Sequence, residues 1–382
     1  MTATPAPAAV GTDIVRWRRH LHANPELSFQ EHETARFVEE TLRSFGGGLE
    51  LERPTPTSVV ARLRTGDGPT LALRADIDAL PIEEESAVAF RSTRPGVMHA
   101  CGHDAHTAIL LGVARTLLER RDEIAGEVRF VFQHAEEVPP GGASELIAAG
   151  VLDGVDAIVG AHVFSREERG TVAVPVGPFM AAPDEFEITV RGKGGHAAMV
   201  HEAVDPVVAA AQIVTNLQQI VSREVNPIDR AVVSVTRIAG GTASNIVPEQ
   251  VVLGGTVRTF RPEVQEQIRD ALARVATGVA GAHRCTAELR YELGYATTVN
   301  DAGVAALVAR NVEAGRLTEI EPIMGGEDFS AYQQVVPGCF FIVGAGGKDA
   351  APHHHPRFTI DEDALPVVHD VFVRTALDFL RP

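Results

Sequence analysis

The chain has 382 residues, 45% hydrophobic and 22% charged, with 35 glycines and 23 prolines, a globular composition that excludes collagen-like, low-complexity and disordered classes. Its length exceeds what one hydrophobic core usually supports and calls for two or three domains. With 51 acidic against 34 basic residues the net charge is −17, which repels phosphate backbones and anionic lipid, so neither a nucleic-acid nor a membrane partner is expected.

Met1–Thr12 is rich in Ala, Pro and Thr and lacks the basic and apolar regions of a secretory signal. No stretch reaches the roughly 18 apolar residues of a membrane span. Cys101, Cys285 and Cys339 are too sparse for a disulfide framework and suit a reducing cytoplasm. Asp13 is expected to cap a helix through Ile14, Val15, Trp17 and Leu21, and a second helix is predicted from about Glu33 to Phe45, stopped by Gly46–Gly48. Apolar runs at Ser58–Leu63, Leu71–Leu73, Val128–Phe132 and Ala157–Gly160 predict buried strands, with helices at Thr107–Leu118 and Ser144–Ala149. That alternation predicts an α/β layer with a mixed, largely parallel sheet.

From about Asp184 the texture changes. Strands are predicted at Glu185–Arg191, Ala231–Ile238 and Glu249–Thr259, and amphipathic helices at Asp205–Val221 and Pro262–Ala280, a ferredoxin-like α+β pattern. After Asn300 the α/β texture returns, with a helix near Ala302–Glu313, a strand at Cys339–Val343 and a closing helix at Asp363–Leu380. The expected organisation is a discontinuous domain over residues 1–183 and 298–382 with a smaller domain, 184–297, inserted into it.

Chemistry-bearing residues cluster at the predicted strand ends. In Met98–His106, MHACGHDAH, Cys101 and His103 sit two apart in a loop before a helix, a spacing that lets a thiolate and an imidazole reach one metal or two neighbouring metals. A small buried hydrophobe and a helix-start polar residue are the plainer explanations for the same pair. Glu136 and Glu137, in QHAEEVPP, follow a strand at the edge where open α/β sheets bind ligands. Adjacent acids on extended backbone point apart, so one can ligate while the other serves as a base; an exposed acidic loop is the alternative. His162 ends another apolar run, and His353, His354 and His355 precede Pro356. Neighbours in sequence cannot all face one site, so one ligand and two bystanders are expected there. Cys101, His103, Glu137, His162 and His354 together supply five N/O/S donors, more than one tetrahedral zinc needs and suited to two metals sharing a bridge. Asp76 and Asp78, in LRADIDALP, add carboxylates at a further strand end.

The motifs LRADIDALP, MHACGHDAHT, AEE, GAHV, GKGGHAAM, GTASNIVPE, GTVRTF, GGEDFS and HHPRF, in this order along nearly the whole chain, resemble the dinuclear-metal amidohydrolases. That family includes hippurate hydrolase, the indoleacetyl-amino-acid hydrolases, N-acetylcysteine deacetylase and N-acetyldiaminopimelate deacetylase, with aminoacylase and zinc exopeptidases more distant. The resemblance implies a catalytic domain interrupted by a lid that mediates dimerisation. It implies Cys101, His103, Glu137, His162 and His354 as ligands of two divalent metals, with Cys101 bridging and His354 chosen because the pattern is His, any residue, Pro. It further implies Glu136 as general base, His196 as the group that polarises the scissile carbonyl, often from a partner subunit, and Asn245 and Arg258 as substrate contacts. Turn or surface-strand roles are the plainer alternatives for those last three. Asp78 is expected to orient a metal-bound imidazole. The chain departs from the family's usual proline at His134 and Val200, and Cys285 and Cys339 match no ligand position and are expected in the core.

The activity so implied is hydrolysis of the amide bond of small N-acyl amino acids by a cytoplasmic homodimer. Zinc best suits the mixed donor set, with manganese, cobalt and nickel as alternatives. A dipeptidase or aminopeptidase would use the same metals but needs an acidic group for a free amine. A non-catalytic scaffold would be expected to have lost the base or a ligand, and none is missing.

Overall fold

The computed structural model describes residues 8–382, so the Met1–Thr12 stretch lies outside the description as far as residue 7. The chain divides into two compact units. The first runs through Gly177 and takes up again over Thr298–Glu321 and Asp328–Pro382; the second comprises Pro178–Thr297 and Pro322–Glu327.

An eight-stranded sheet organises the first unit. Its strands lie in the order Glu50–Glu52, Val59–Arg64, Glu127–Gln133, Thr70–Asp76, Ala157–Glu168, Gly338–Gly346, Val172–Ala173, Leu317–Thr318. The four central strands, Glu127–Gln133 through Gly338–Gly346, pair in parallel, and antiparallel pairs flank them. Buried on both faces, the central strands read as largely apolar rather than alternating, interrupted by buried polar residues such as Arg74 and Arg129. The Ala157–Glu168 strand continues eight residues past the Gly160 expected from the apolar run, because its later part carries His162 and Ser165.

The His103–Glu119 helix packs between the Ala8–Ala23 and Leu365–Phe379 helices. Only Arg115 and Glu119 of its 17 residues escape burial, so it is buried nearly all round and shows little helical periodicity. Gly112 allows its approach to the first helix: a Cβ there would meet Ile14 Cδ1 at 2.5 Å. That first helix starts at Ala8, so Asp13 is an interior residue rather than the expected cap. Ala is the strongest helix former, and the Ala8–Ala9 pair carries the helix back one turn. The Asp13 carboxylate instead pairs with Arg16 and Arg115.

In the second unit, strands and helices follow in the order Ala182–Arg191, helix Pro206–Gln219, Ala231–Ala239, Gln250–Thr259, helix Pro262–Ala282, Thr286–Glu292. The strands form one antiparallel sheet in the spatial order second, third, first, fourth, which is the ferredoxin-like arrangement. Asp205 caps the first helix by accepting the Val207 N–H. The fourth strand, Thr286–Glu292, was not expected from sequence: it is a half-exposed edge whose alternate residues face solvent, and it lacks an apolar run.

Cys285 and Cys339 are free and buried, as expected of core residues. No helix among the described residues is long and apolar enough to cross a membrane.

The close approach at Gly112 has a measurable consequence. Gly112→Val should destabilise the chain by about 1–3 kcal/mol through overpacking, and Ile14→Ala in the same chain should recover part of that loss. Urea unfolding midpoints of the single and double variants provide the check.

Candidate metal centre

Strand register levels the first components of the site. Arg74 lies opposite Gly160 and Asp76 opposite Gln133, so Asp76, Gln133 and His162 reach the same height at the carboxyl edge of the parallel strands. Beyond that edge the chain continues to Asp78 on one strand and to Glu136 and Glu137 on its neighbour. The Cys101 loop enters the same edge through Gly102, whose φ of 104° suits glycine and whose Cβ, if present, would lie 2.6 Å from Val163 Cγ2. His103 then begins its helix.

Hydrogen bonds fix which ring nitrogens remain available. His162 Nδ1 donates to the Val163 carbonyl at 2.9 Å, leaving Nε2 with its lone pair 3.4 Å from Cys101 Sγ. His103 Nδ1 reaches the Asp78 carbonyl at 3.0 Å and Asp78 Oδ1 at 3.1 Å, and its Nε2 is buried with no hydrogen bond. Asp78 Oδ2 accepts the Glu137 N–H at 3.0 Å. Glu137 Oε1 is likewise buried without a hydrogen bond, although His354 Nε2 approaches to 3.1 Å and His103 Nε2 to 4.0 Å.

The three successive histidines separate at His354, a non-glycine residue with φ of 63°. His353 directs Nδ1 to 3.8 Å from Cys101 Sγ, His354 faces Glu137, and His355 Nδ1 accepts the Arg357 N–H. The turn therefore brings two of the three to the cluster, including His353, which sequence reasoning had set aside as a bystander.

Electrostatics favour cations here. Burial, with Glu137 and Glu136 nearby, pushes the Cys101 thiol well above its usual range, so a thiolate at this position requires added positive charge. Burial, with His106 and His353 beside it, holds His162 well below its usual value and keeps the imidazole neutral. His353 is lowered to about 3 by burial, His354 and His106. For Asp78, burial is outweighed by the hydrogen bonds of His103, Ser28 and the Glu137 N–H, which hold its carboxyl below the ordinary range.

The donor atoms of Cys101, His162 and His353 lie within 4.8 Å of one another, as do those of Cys101, His103 and Glu137. Cys101 belongs to both triads. Two shared-sulfur triads, with His103 Nε2 and Glu137 Oε1 buried and without a hydrogen bond, fit two divalent cations. A third grouping joins Asp76 with His103 and His106, and within it the Asp76–His106 pair is satisfied internally. Asp76 Oδ1 meets His106 Nδ1 at 2.6 Å, its Oδ2 meets buried Arg74 at 2.5 Å, and His106 Nε2 accepts the Val163 N–H. It acts as a brace under His162. His106 stands three residues after His103 on the same helix face, a spacing that could have revealed it.

The remaining expected residues lie in the second unit. His196, exposed, sits on a two-residue strand paired with Ile246, and the Asn245 carbonyl accepts the Ala197 N–H at 3.0 Å, so sequence positions 49 residues apart become neighbours. Arg258 is partly buried on the Gln250–Thr259 strand, and its guanidinium makes no hydrogen bond or ion pair among the described residues; burial lowers its pKa.

Residues 72–378 match the model of peptidase family M20/M25/M40. The chain belongs to this family. It is 54% identical over 292 residues to an N-acyl-L-amino acid amidohydrolase of Geobacillus stearothermophilus, covering 76% of this chain and 79% of that protein. It is 42% identical to an N-acetylcysteine deacetylase of Bacillus subtilis, over 98% of this chain and 99% of that one. The crystal structure of the Bacillus subtilis YXEP protein, described as a dinuclear metal-binding peptidase of the M20 family, superposes with a TM-score of 0.87 at 39% identity, covering 98% of this chain and 99% of that one. The M20 chain described here thus shares fold and family with a protein described as binding two metals.

Because Asp78 grips both His103 and the Glu137 backbone, Asp78→Asn should weaken metal binding by about 10–100-fold. Equilibrium dialysis against buffered zinc measures this; unchanged affinity would remove Asp78 from that role.

Proposed function

We propose that this M20 protein is a metal-dependent amidohydrolase that cleaves the amide bond of small N-acyl amino acids, with Glu136 as the base. The observation that carries the reading is Glu136 itself. It is a buried carboxylate, adjacent to Glu137 and left out of both Cys101 triads, in a chain whose relatives are named for hydrolysis of N-acyl amino acids.

Cys101, His103, Glu137, His162 and His354 would hold two divalent cations, with His353 beside Cys101. When bound, such cations lower the pKa of water and polarise a carbonyl. Glu136 accepts a proton from the attacking water and returns it to the departing amine nitrogen. Asp78 keeps His103 Nε2 as the free nitrogen by accepting at Nδ1. His196 donates to the developing oxyanion, an interaction whose loss typically costs about 10²–10³ in rate. Asn245 and Arg258 contact the substrate, and the unpaired guanidinium of Arg258 suits a carboxylate.

The mixed S/N/O donor set supports zinc, with manganese, cobalt or nickel able to substitute. We assign the ferredoxin-like unit, expected over residues 184–297 and extending over Pro178–Thr297 with Pro322–Glu327, as the lid and dimerisation domain, and the other unit, expected over residues 1–183 and 298–382, as the catalytic domain. The half-exposed edge strand Ala231–Ala239, with its last four residues open to solvent, supports a homodimer. Three free cysteines support a reducing cytoplasm. A peptidase reading draws support from the description of the YXEP protein. It predicts faster turnover of a dipeptide than of the matching N-acetyl amino acid; the amidohydrolase reading predicts the reverse.

Glu136→Gln should abolish turnover of an N-acetyl amino acid while metal content, measured by elemental analysis, stays at the parental level. Retained turnover would remove Glu136 as base. Arg258→Ala should raise KM by about tenfold or more for substrates with a free carboxylate and much less for their esters, since a charged hydrogen bond contributes about 1.5–3 kcal/mol. An equal loss on both would count against carboxylate recognition.

A further inference from the structure

The segment that carries Glu136 and Glu137 is held by two buried carboxylates. Asp78 Oδ2 accepts the Ser28 hydroxyl at 2.7 Å and the Glu137 N–H at 3.0 Å. Glu31 Oε1 accepts the Phe29 N–H at 3.0 Å and the Ala135 N–H at 2.8 Å. The two carboxylates therefore grip the same two stretches of chain, 28–29 and 135–137. Phe29 and Ala135 are also two of the four described non-glycine residues at positive φ, at 65° and 48°. L-residues with a side chain populate that region sparsely, so an external hold is needed to keep them there. Glu31 receives the N–H of both.

We propose that Glu31 is a positioning residue for the Glu136 base: through Ala135 it fixes the turn that separates Glu136 from the metal-ligating role of Glu137. The proposal rests on the reading of Glu136 as base.

Glu31 is fully buried, and its Oε2 makes no hydrogen bond. All its hydrogen bonds go to backbone, none to a metal-donor side chain, which separates it from Asp78, whose other oxygen orients His103. The Ala135 carbonyl is taken in turn by the Gly142 N–H at 3.0 Å, so both polar groups of the Ala135 backbone are committed. Burial, with Asp78 nearby, pushes the Glu31 carboxyl up to about 8. Near neutral pH it is largely protonated, and Gln is its closest replacement.

Glu31→Ala, Glu31→Gln and Glu31→Asp are compared with the parent and with Glu136→Gln in two measurements. These are steady-state hydrolysis of an N-acetyl amino acid by metal-loaded enzyme, and amide hydrogen exchange of residues 133–141 in metal-free enzyme. In Glu31→Ala, kcat should fall about 10–100-fold with KM and metal content near parental values, because sub-ångström misplacement of a reacting group costs rate rather than binding. Exchange of the 133–141 segment should quicken by about tenfold. Glu31→Gln keeps the acceptor and should restore both readouts to within about threefold of the parent, which a loss of general stability would not do. Parental kcat in Glu31→Ala together with an inactive Glu136→Gln overturns the role of Glu31 and leaves the base assignment standing. An active Glu136→Gln removes the base assignment and with it the proposal, even if exchange shows that Glu31 holds the turn. If Glu31→Ala does not fold, Glu31→Asp decides: a carboxyl shorter by one methylene should lower kcat and quicken exchange, and parental values for both overturn the proposal.

Discussion

Negative charge taken out of water is the constraint on which the rest of this structure depends. Asp76, Asp78 and Glu136 are buried at the carboxyl edge of one parallel sheet, with the Cys101 sulfur and the Glu137 carboxylate beside them. Desolvated carboxylates persist only when paired or hydrogen-bonded. Arg74, itself buried, pairs with Asp76 and Asp328, and Asp78 is satisfied by Ser28, His103 and the Glu137 backbone. The compensation is incomplete at Cys101, Glu137 and His103, where an elevated thiol pKa and buried donor atoms without a hydrogen bond remain. The donor atoms left uncompensated there are the ones that would hold the two divalent cations of the proposed centre.

The scaffold supports this arrangement by rigidity. Parallel register sets Asp76, Gln133 and His162 at one height, and the His103 helix is packed on nearly every side. Ring orientations are set by carbonyl and carboxylate acceptors rather than by the ring residues themselves. The brace of Arg74, Asp76 and His106 reaches the backbone beside His162 through the Val163 N–H. A centre held in this way keeps its donors close to a binding geometry at little further ordering cost.

Much of this was legible in the chain. Apolar runs marked the central strands because strands buried on both faces have no alternation to hide. The two-residue spacing of Cys101 and His103 and the strand-end position of Glu136 and Glu137 marked the site because local backbone direction determines where such side chains can reach. Other parts were less visible. Asp13 looks like a cap in isolation, but helix propensity begins the helix earlier. The Thr286–Glu292 strand lacks an apolar run because it is an edge. The second histidine of the cluster, His353, depends on one positive φ at His354, and side-chain direction through such a turn cannot be counted from spacing. Glu31 carries no motif of its own; its significance is that it meets Ala135, 104 residues away.

Local sequence thus determined most element types, the two textures and most of the candidate donors, since each follows from periodicity or from spacing within a few residues. Tertiary structure decided how those donors group. The division into two triads around one sulfur, the tautomers, the brace behind His162 and the double carboxylate grip on the Glu136 segment all join residues from distant parts of the chain. Strand register and close packing bring them together, and neither is a property of any short stretch of sequence.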